Sequence, residues 1–500
     1  MTLTDGVTAR RYRFGPLDTG GWFLGLGAFQ CLALATGLLA GGATLHASGS
    51  LALAVIPVVL AAALAFSRWD GRPTHEWVTP LWGWVRLRVN KEQRWVAAIA
   101  TRVDDHARTS RPPFLDGLHL LEWAFDGPVP RAHGVGVIAD RAAQRASAVL
   151  RVRGREFALL ERRDQERVLD AWGGALAGFC RERTPVARIA WSEWAAPAAM
   201  DDHLAFVREH QDAASPSPEL ERYLALVAEA GPLTTAHEAL VTITIDQRRL
   251  RNARSTTGGI CATLAEQVGL FTRRLEHAGL VVDPPLSPAE LAMVLRLRGD
   301  PSCASRLARR AETLGEAAGL VSPRHWAPLA VDVQWRQVRV DQAWHRSYWI
   351  AEWPRLEVPA DWLAPVVLHA GGIRSLTVVY EPVAASRSRR TIDRDATRLA
   401  SDEEQRTRRG FRVRAQHRRA ETEVLSREAE LVAGYPEFTY TGFLTITAND
   451  LPTLDAQAAE WEQVAAQAGL ELRALDGQHD VGLATALPIG RGPAPRRIGP

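Results

Sequence analysis

The hydrophobic pattern divides the chain into an apolar front and a long alternating body. From Trp22 to Leu45 the sequence WFLGLGAFQCLALATGLLAGGATL carries no charge, and Gln30 is its strongest polar break. A second uncharged run, LALAVIPVVLAAALAFS, covers Leu51 to Ser67 and contains Pro57. At about 1.5 Å of rise per residue, the first run is long enough for a bilayer core of roughly 30 Å. The break from His46 to Ser50 is too short for a domain, so the pattern predicts an antiparallel transmembrane hairpin over residues 21–67. A buried soluble helical hairpin is one competing reading, set aside because two uncharged runs this close are rare in soluble cores; a signal peptide is the other. The first run is too long for one, begins about 20 residues in, and is followed at once by a second.

The flanks predict orientation. Arg10, Arg11 and Arg13 precede the runs, Arg68, Arg72, Arg86, Arg88, Lys91 and Arg94 follow them, and the turn between carries no cation. Positive residues stay on the cytoplasmic side, so residues 1–20 and everything after the hairpin are expected in the cytosol. Trp22, Trp69, Trp77, Trp82 and Trp84 sit where interfacial aromatics belong. With Arg86 and Arg88 they make residues 68–96 a candidate amphipathic segment on the inner leaflet. Gly25, Gly27, Ala28, Gly37, Gly41 and Gly42 would permit close helix packing, within the hairpin or against a partner.

Beyond an irregular stretch at 97–132, strand-like runs alternate with helical ones. His133–Asp140, Ala146–Gly154, Val186–Trp194 and Glu238–Asp246 read as strands, and Ser255–Ala278 as a long helix. Ser287 with Glu290 has capping-box spacing ahead of another helix. These give a first cytosolic α/β domain at 97–330. A second α+β domain is expected at 331–492, with strands at Leu376–Pro382 and Phe438–Ala448 and strand–helix order of an α/β or ferredoxin-like kind. The proline-free stretch 383–435 predicts one long helix or a helical hairpin breaking at Gly410, and 493–500 is a tail.

Composition narrows the chemistry. A net charge of +3 gives no whole-chain field for nucleic acid, and no direct nucleic-acid binding is expected. Lys91 is the only lysine. A P-loop needs a lysine to reach the terminal phosphates, and Lys91 has no glycine beside it, so a Walker A motor is excluded. Cys31, Cys180, Cys261 and Cys303 are too scattered for a zinc knuckle or disulfide framework. Metal and triad motifs are absent, so no catalytic, metal or cofactor residue is assigned. STTGGICATL (Ser255–Leu264) could offer amides to an anion, although helix capping and a turn are the favoured reading. His203 and His210, and the cluster Asp476, Gln478, His479 and Asp480, read as solvated or structural polar groups. Arg387, Arg389, Arg390, Arg408, Arg409 and Arg412 form a candidate partner-docking surface, with anionic lipid headgroups as another occupant.

Several stretches carry a resemblance: HRSYWIAEWPRLEVPADWLAPVV (His345–Val367), RSLTVVYEPVAASRSRR (Arg374–Arg390), RRGFRVRAQHRRAETE (Arg408–Glu423), FLTITA (Phe443–Ala448) and HDVGLATALPIGRG (His479–Gly492). They resemble an actinobacterial integral membrane family found with type IV secretion and conjugation gene sets. The organisation is similar to two secretion proteins in series. Trp22 to Trp95 resembles the two-span PrgI-like inner-membrane subunit. Roughly 130–492 resembles the N-terminal, non-motor domain of the conjugation assembly ATPase. The resemblance implies a non-catalytic, oligomeric scaffold in the bacterial inner membrane that docks a separate ATPase and other membrane subunits. A two-span subunit of a type VII secretion complex and a membrane-bound enzyme without a recognisable motif are the alternatives.

Overall fold

The computed structural model describes residues 27–69, 72–97, 111–124, 134–154, 157–197, 218–230, 234–250, 256–315, 319–408 and 415–492, together with 12, 14 and 207. Helices α1 (Ala28–Ser48) and α2 (Leu51–Phe66) form an antiparallel pair joined at Gly49 and Ser50. Small residues set their approach. A Cβ on Gly37 would lie 2.3 Å from the Ala61 methyl, and one on Gly41 would lie 2.8 Å from the Ala54 carbonyl. Gly42 faces open space and Gly25 lies outside the described residues, so Gly37 and Gly41 are the glycines committed inside the pair among those described. Gln30 Nε2 donates to the Ala65 carbonyl at 3.0 Å, so the strongest polar group of the first run is satisfied by the second helix. The span Phe29–Ser48 is long and apolar enough to cross a membrane, whereas α2 has 16 residues and is shorter than that standard.

A two-stranded ribbon follows, β1 (Arg68–Trp69) with β2 (Arg72–Pro73), and then helix α3 (Val78–Val89). Strand β3 (Arg94–Val96) opens a 13-stranded sheet that takes in the rest of the body. In chain order its first part contains β4 (Leu118–Trp123), β5 (Val135–Asp140), β6 (Arg145–Arg153), α4 (Arg162–Ala177) and β7 (Val186–Pro197). Next come α5 (Pro218–Ala230), β8 (Thr235–Asp246), α6 (Thr257–His277), β9 (Val281–Val282), α7 (Pro288–Gly299) and α8 (Ala304–Leu314). Its second part contains β10 (Ala330–Val333), β11 (Val338–Val340), β12 (Ala343–Glu352), α9 (Ala364–Val367) and β13 (Ile373–Pro382). After these come α10 (Ala385–Arg408), α11 (Ala415–Val432), β14 (Phe438–Ala448), α12 (Leu451–Gln467), β15 (Glu471–Ala474) and α13 (His479–Ala486). The spatial order is β3-β10-β11-β12-β14-β13-β7-β8-β6-β5-β4, with β15 also on β12 and β9 also on β6.

Every described pairing is antiparallel, which makes the body α+β and leaves no parallel α/β sheet among the described residues. The division expected at residue 330 falls inside β10, and the strands of both ranges share one sheet through β7 and β13. One strand lies where the sequence reads as irregular: β4, which has leucines on both faces and therefore lacks clean alternation. The hairpin β10–β11, whose strands are four and three residues long, lies where the pattern assigns no element. The stretch 383–435 is a helical hairpin, α10 against α11, with Arg427 Nη1 3.4 Å from Asp395 across it.

The topology contains a duplication. The segment β6-α4-β7-β8-α6-β9 is β-α-β-β-α-β with lateral order β9-β6-β8-β7. The segment β12-α9-β13-β14-α12-β15 repeats it with order β15-β12-β14-β13. This is the split βαβ arrangement of a ferredoxin-like unit. Each unit has a preceding hairpin (β4–β5, β10–β11), a helical insertion between its second and third strands (α5, α10–α11), and a final helix (α7, α13). The units join edge to edge at β7 and β13, in register from Arg374↔Ala195 to Tyr380↔Ile189, across an approximate two-fold axis.

Two cores lie on one face of the sheet, under α4 and α6 and under α12, and Trp191 packs against both. The other face carries α7 and α13. At the seam each unit gives the other an arginine and receives a glutamate. Arg374 pairs with Glu193, and Arg188 Nη2 lies 2.8 Å from Glu381. Arg374 and Glu193 are both buried, and Glu193 also meets His237 Nδ1 at 2.6 Å.

Each final helix, or the chain leaving it, reaches the other unit. Arg491, after α13, reaches Asp140 at 2.6 Å, and Arg296, within α7, reaches Asp341 at 2.6 Å. Gly490 (φ 69°) lies so close to Ser147 and Thr244 that a Cβ would be 2.4 Å from the threonine hydroxyl. Burial pushes Asp140 up, but the hydrogen bonds from Arg491 and the Ala143 N–H outweigh it and hold the carboxyl below its ordinary value.

Replacing Arg374 by Ala leaves the buried Glu193 with His237 in place of its arginine, and losing one partner of a buried pair costs about 3–5 kcal/mol. The expected result is a clear drop in melting temperature in mild detergent. Unchanged melting of the Arg374→Ala variant would contradict a seam held by this pair.

Candidate membrane and partner interface

Helix α3 is apolar on two sides. Its inner side rests on the β10–β11 turn: Trp77 is buried and stacks on Trp335 (centroids 6.2 Å apart), and Trp84 meets the same ring edge-on at 5.6 Å. Leu87 and Trp84 continue into the small core of Val331, Val333, Val338 and Val340. Its outer side presents Val78, Leu81, Trp82, Val85 and Val89, all exposed, at spacings that form one helical stripe. Trp82 is the most open tryptophan described here, at 73% exposure. Arg86 and Arg88 are exposed on the same helix, with the Arg88 guanidinium 5.3 Å from the Trp84 ring centre.

The tryptophans predicted for the interface therefore separate. Trp82 points outward beside Arg86 and Arg88, and Trp84 is half-buried. Trp77 is turned into the protein, because the β10–β11 turn offers its ring an aromatic partner. Trp69 lies in the ribbon, its side chain outside the described residues, and Trp22 lies outside them altogether.

A second fastening lies ahead of the helical pair. Tyr12 and Val358 exchange both backbone hydrogen bonds at 2.9 Å. Phe14 inserts among Trp353 (5.3 Å), Trp362 (5.0 Å) and Tyr440 (6.2 Å). Sequence reasoning assigned no role to Tyr12, Phe14 or Trp335. An aromatic–x–aromatic pair in a short polar lead is the signal that could have found the first two.

The helical arm α10–α11 leaves the sheet at Pro382 and returns at Phe438, at the end of β12 that holds the Phe14 cluster. Its inner face is lined by Ser388, Ile392 and Val424. Arg387, Arg389 and Arg390 are exposed near its base, where the Ser386 N–H donates to Glu182 at 2.9 Å. Arg408 is exposed and pairs with Glu404 one turn back, whereas Arg409 and Arg412 lie outside the described residues. The structure thus brings three of the six arginines together at the base. Near the far end Arg419 Nη2 lies 3.5 Å from the Arg355 carbonyl, in the loop that holds Tyr12 and Phe14.

The remaining polar candidates have structural partners. Thr256 caps α6, accepting from the Gly259 N–H at 3.2 Å. His479 Nδ1 accepts from the Ser347 N–H at 3.1 Å, and burial pushes Asp480 above its ordinary value. His203 and His210 lie outside the described residues. Burial pushes the Cys180 thiol up to about 12, which leaves no thiolate for nucleophilic attack. Among the described residues no three His, Cys, Asp or Glu side chains converge as a metal set. Compared with known proteins, the chain matches no family model and no curated relative.

Two outcomes follow from this geometry. Trp335→Ala removes the ring on which Trp77 and Trp84 pack, so cleavage within 68–97 by a limiting protease should accelerate while the sheet core stays resistant. An unchanged cleavage pattern would mean that α3 is held otherwise.

The second concerns pH. His345 is fully buried: Nε2 donates to the Gly299 carbonyl and Nδ1 accepts from Thr447, both at 2.9 Å, and burial pushes the imidazole down to about 4. His479 is pushed down by the same cause. An unfolded histidine titrates near 6.5, so the unfolded chain takes up these protons first. The stability is present above about pH 6.5 and is lost as pH falls toward 4, at up to about 1.4 kcal/mol per unit for each group. Melting temperature should fall between pH 7 and 5, and the slope should shrink in His345→Gln. An equal slope in the two proteins would refute the assignment.

Proposed function

We propose that the chain is a non-catalytic scaffold of a type IV-like secretion or conjugative transfer machine in the bacterial cytoplasmic membrane. In this reading α1 and α2 are the two spans, and the body docks a separate ATPase and further membrane subunits. The observation that carries it is the double fastening of the helical pair. Tyr12 and Phe14 ahead of it, and α3 and β3 behind it, attach to the same unit of the sheet. A chain that leaves a body and returns to it through two apolar helices has both flanks on one side. The arginine-rich flanks make that side the cytosol.

Further support comes from the outward faces of the pair. Leu32, Leu38 and Leu39 on α1, and Ile56, Val59 and Leu60 on α2, are all more than half exposed, an apolar surface that water would not tolerate. At about 24 Å, α2 is short for the hydrocarbon core, a mismatch met by local thinning and by anchors at the interface. Trp82, Arg86 and Arg88 beside the outer stripe of α3 are such anchors.

The part resembling the two-span subunit also contributes β3, which pairs Arg94 to Asp332 and Trp95 to Val331 of the body. The two resembling pieces are therefore joined by sheet pairing, which supports the scaffold reading. The exposed arginines at the base of the arm are the surface we assign to an acidic partner.

Topology is tested with single cysteines. Ser50→Cys should react with a membrane-impermeant maleimide in spheroplasts, and Val96→Cys only after lysis; the reverse pattern overturns the orientation. Assembly is tested by isolation from the host in mild detergent. Co-isolation of a secretion ATPase is expected, and recovery only as a lone monomer would refute the scaffold reading.

A further inference from the structure

We propose that the outer edge of β4 is a strand-addition site for a partner polypeptide, which joins it antiparallel as β3 joins β10 at the opposite end of the sheet. The hairpins β4–β5 and β10–β11 hold the same position in their units, so β4 and β10 are equivalent. The fold itself shows what completes such an edge. On β10, Val96, Trp95 and Arg94 pair with Ala330, Val331 and Asp332. The ring of Trp95 packs on the valine core, and Arg94 Nε lies 3.5 Å from Asp332. Among the described residues no strand occupies the equivalent edge of β4.

The chemistry of β4 suits an incoming strand. It is six residues long, and all six, Leu118 to Trp123, are in register with β5. Edges of this length are ordinarily guarded by lysine, proline or a bulge, because their unpaired N–H and C=O groups recruit other chains. Leu118-His119-Leu120-Leu121-Glu122-Trp123 has no lysine, proline or bulge, and its single charge, Glu122, is already drawn toward the Gly134 N–H at 3.0 Å. The strand is also floored on both sides: Leu118 and Leu120 rest on the core under α7, Leu121 and Trp123 on the core under α6. A neighbouring strand would therefore find apolar ground on both of its faces.

The partner this edge fits is an extended, mainly apolar segment, recognised through its main chain with side chains seated alternately on the two floors. A basic residue abreast of the exposed Glu122 would repeat the Arg94–Asp332 pairing. The site lies in the first unit, away from the α3 attachment, and does not depend on the secretion reading.

The test is amide hydrogen exchange of β4 in the full chain in mild detergent, with and without a synthetic peptide of residues 92–98 (EQRWVAA), the fold's own edge-completing strand. In an antiparallel pair alternate residues face away from the partner, so about half of the β4 amides should exchange fast without peptide. They should slow at least about tenfold at saturating peptide. A peptide N-methylated at alternate amides, which leaves the protein untouched, should give no protection. Fast amides already slow before addition would overturn the proposal, because the edge is then occupied. Sedimentation would assign that occupancy to a second copy if the chain is dimeric, and to its own residues if monomeric. Absence of slowing at millimolar peptide, or equal slowing by the N-methylated peptide, would also overturn it.

Discussion

Everything in the body depends on the antiparallel seam between β7 and β13. Two ferredoxin-like units are marginal as separate sheets, since each would leave a long strand edge in water. Joined, they bury that edge and align their cores on one face, where Trp191 touches both. The reciprocal pairs Arg374–Glu193 and Arg188–Glu381 add little net stability, because desolvation offsets most of the attraction. What they supply is register. A slip of one residue would turn every side chain of β13 to the other face and leave two arginines and two glutamates unpaired in the sheet centre. An all-valine seam would tolerate that slip, and this one does not.

The duplication then explains why the second face is so polar. Ser147, Thr244, Ser192, Ser375, Ser347 and Thr445 are all buried there, beneath α7, α13 and the segments that follow them. Those segments cross to the opposite unit and bring backbone close to the strands. After α13 the Gly490 backbone comes against Ser147 and Thr244 of the first unit, and within the second unit the Ala486 carbonyl accepts from Ser375 and Gly482 packs on Ser347. Small hydroxyl residues allow that approach and hydrogen-bond what arrives; valine or isoleucine would hold the chain away. The Arg491–Asp140 and Arg296–Asp341 pairs close the two crossings, so each unit is locked by the final helix of the other or the chain just after it.

Much of this was visible in the amino-acid order, and the exceptions have physical causes. The apolar pair, the strands at Val186, Glu238 and Phe438 and the capped helix at Ser287 all rest on local signals: charge absence, alternation, capping chemistry; the break expected at Gly410 lies outside the described residues. The seam rests on pairing between residues such as Ser192 and Thr377, about which local pattern says nothing. β4 lacked alternation because both of its faces are covered. The duplication was invisible because the units share topology while their side chains differ: Ser147 meets Thr244 in one, and His345 meets Thr447 in the other. Trp77 shows the same limit at a single residue. A tryptophan after an apolar helix reads equally as a lipid anchor or as a packing group, and only the neighbouring Trp335 decides.

The two-fold relation also gives the body a polarity. An approximate axis between antiparallel strands turns one unit end for end against the other, so equivalent features point in opposite directions. In the second unit the β10–β11 end receives α3, β3 and the fastened N-terminal lead, and the arginine-bearing arm springs from the same end. In the first unit the corresponding β4–β5 end points away from that attachment. One unit thus has its edge completed by the chain that comes from the apolar helices, and its copy presents the same edge on the other side. A duplicated unit held this way can join two different surroundings with a single design, because the antiparallel seam itself separates the two ends.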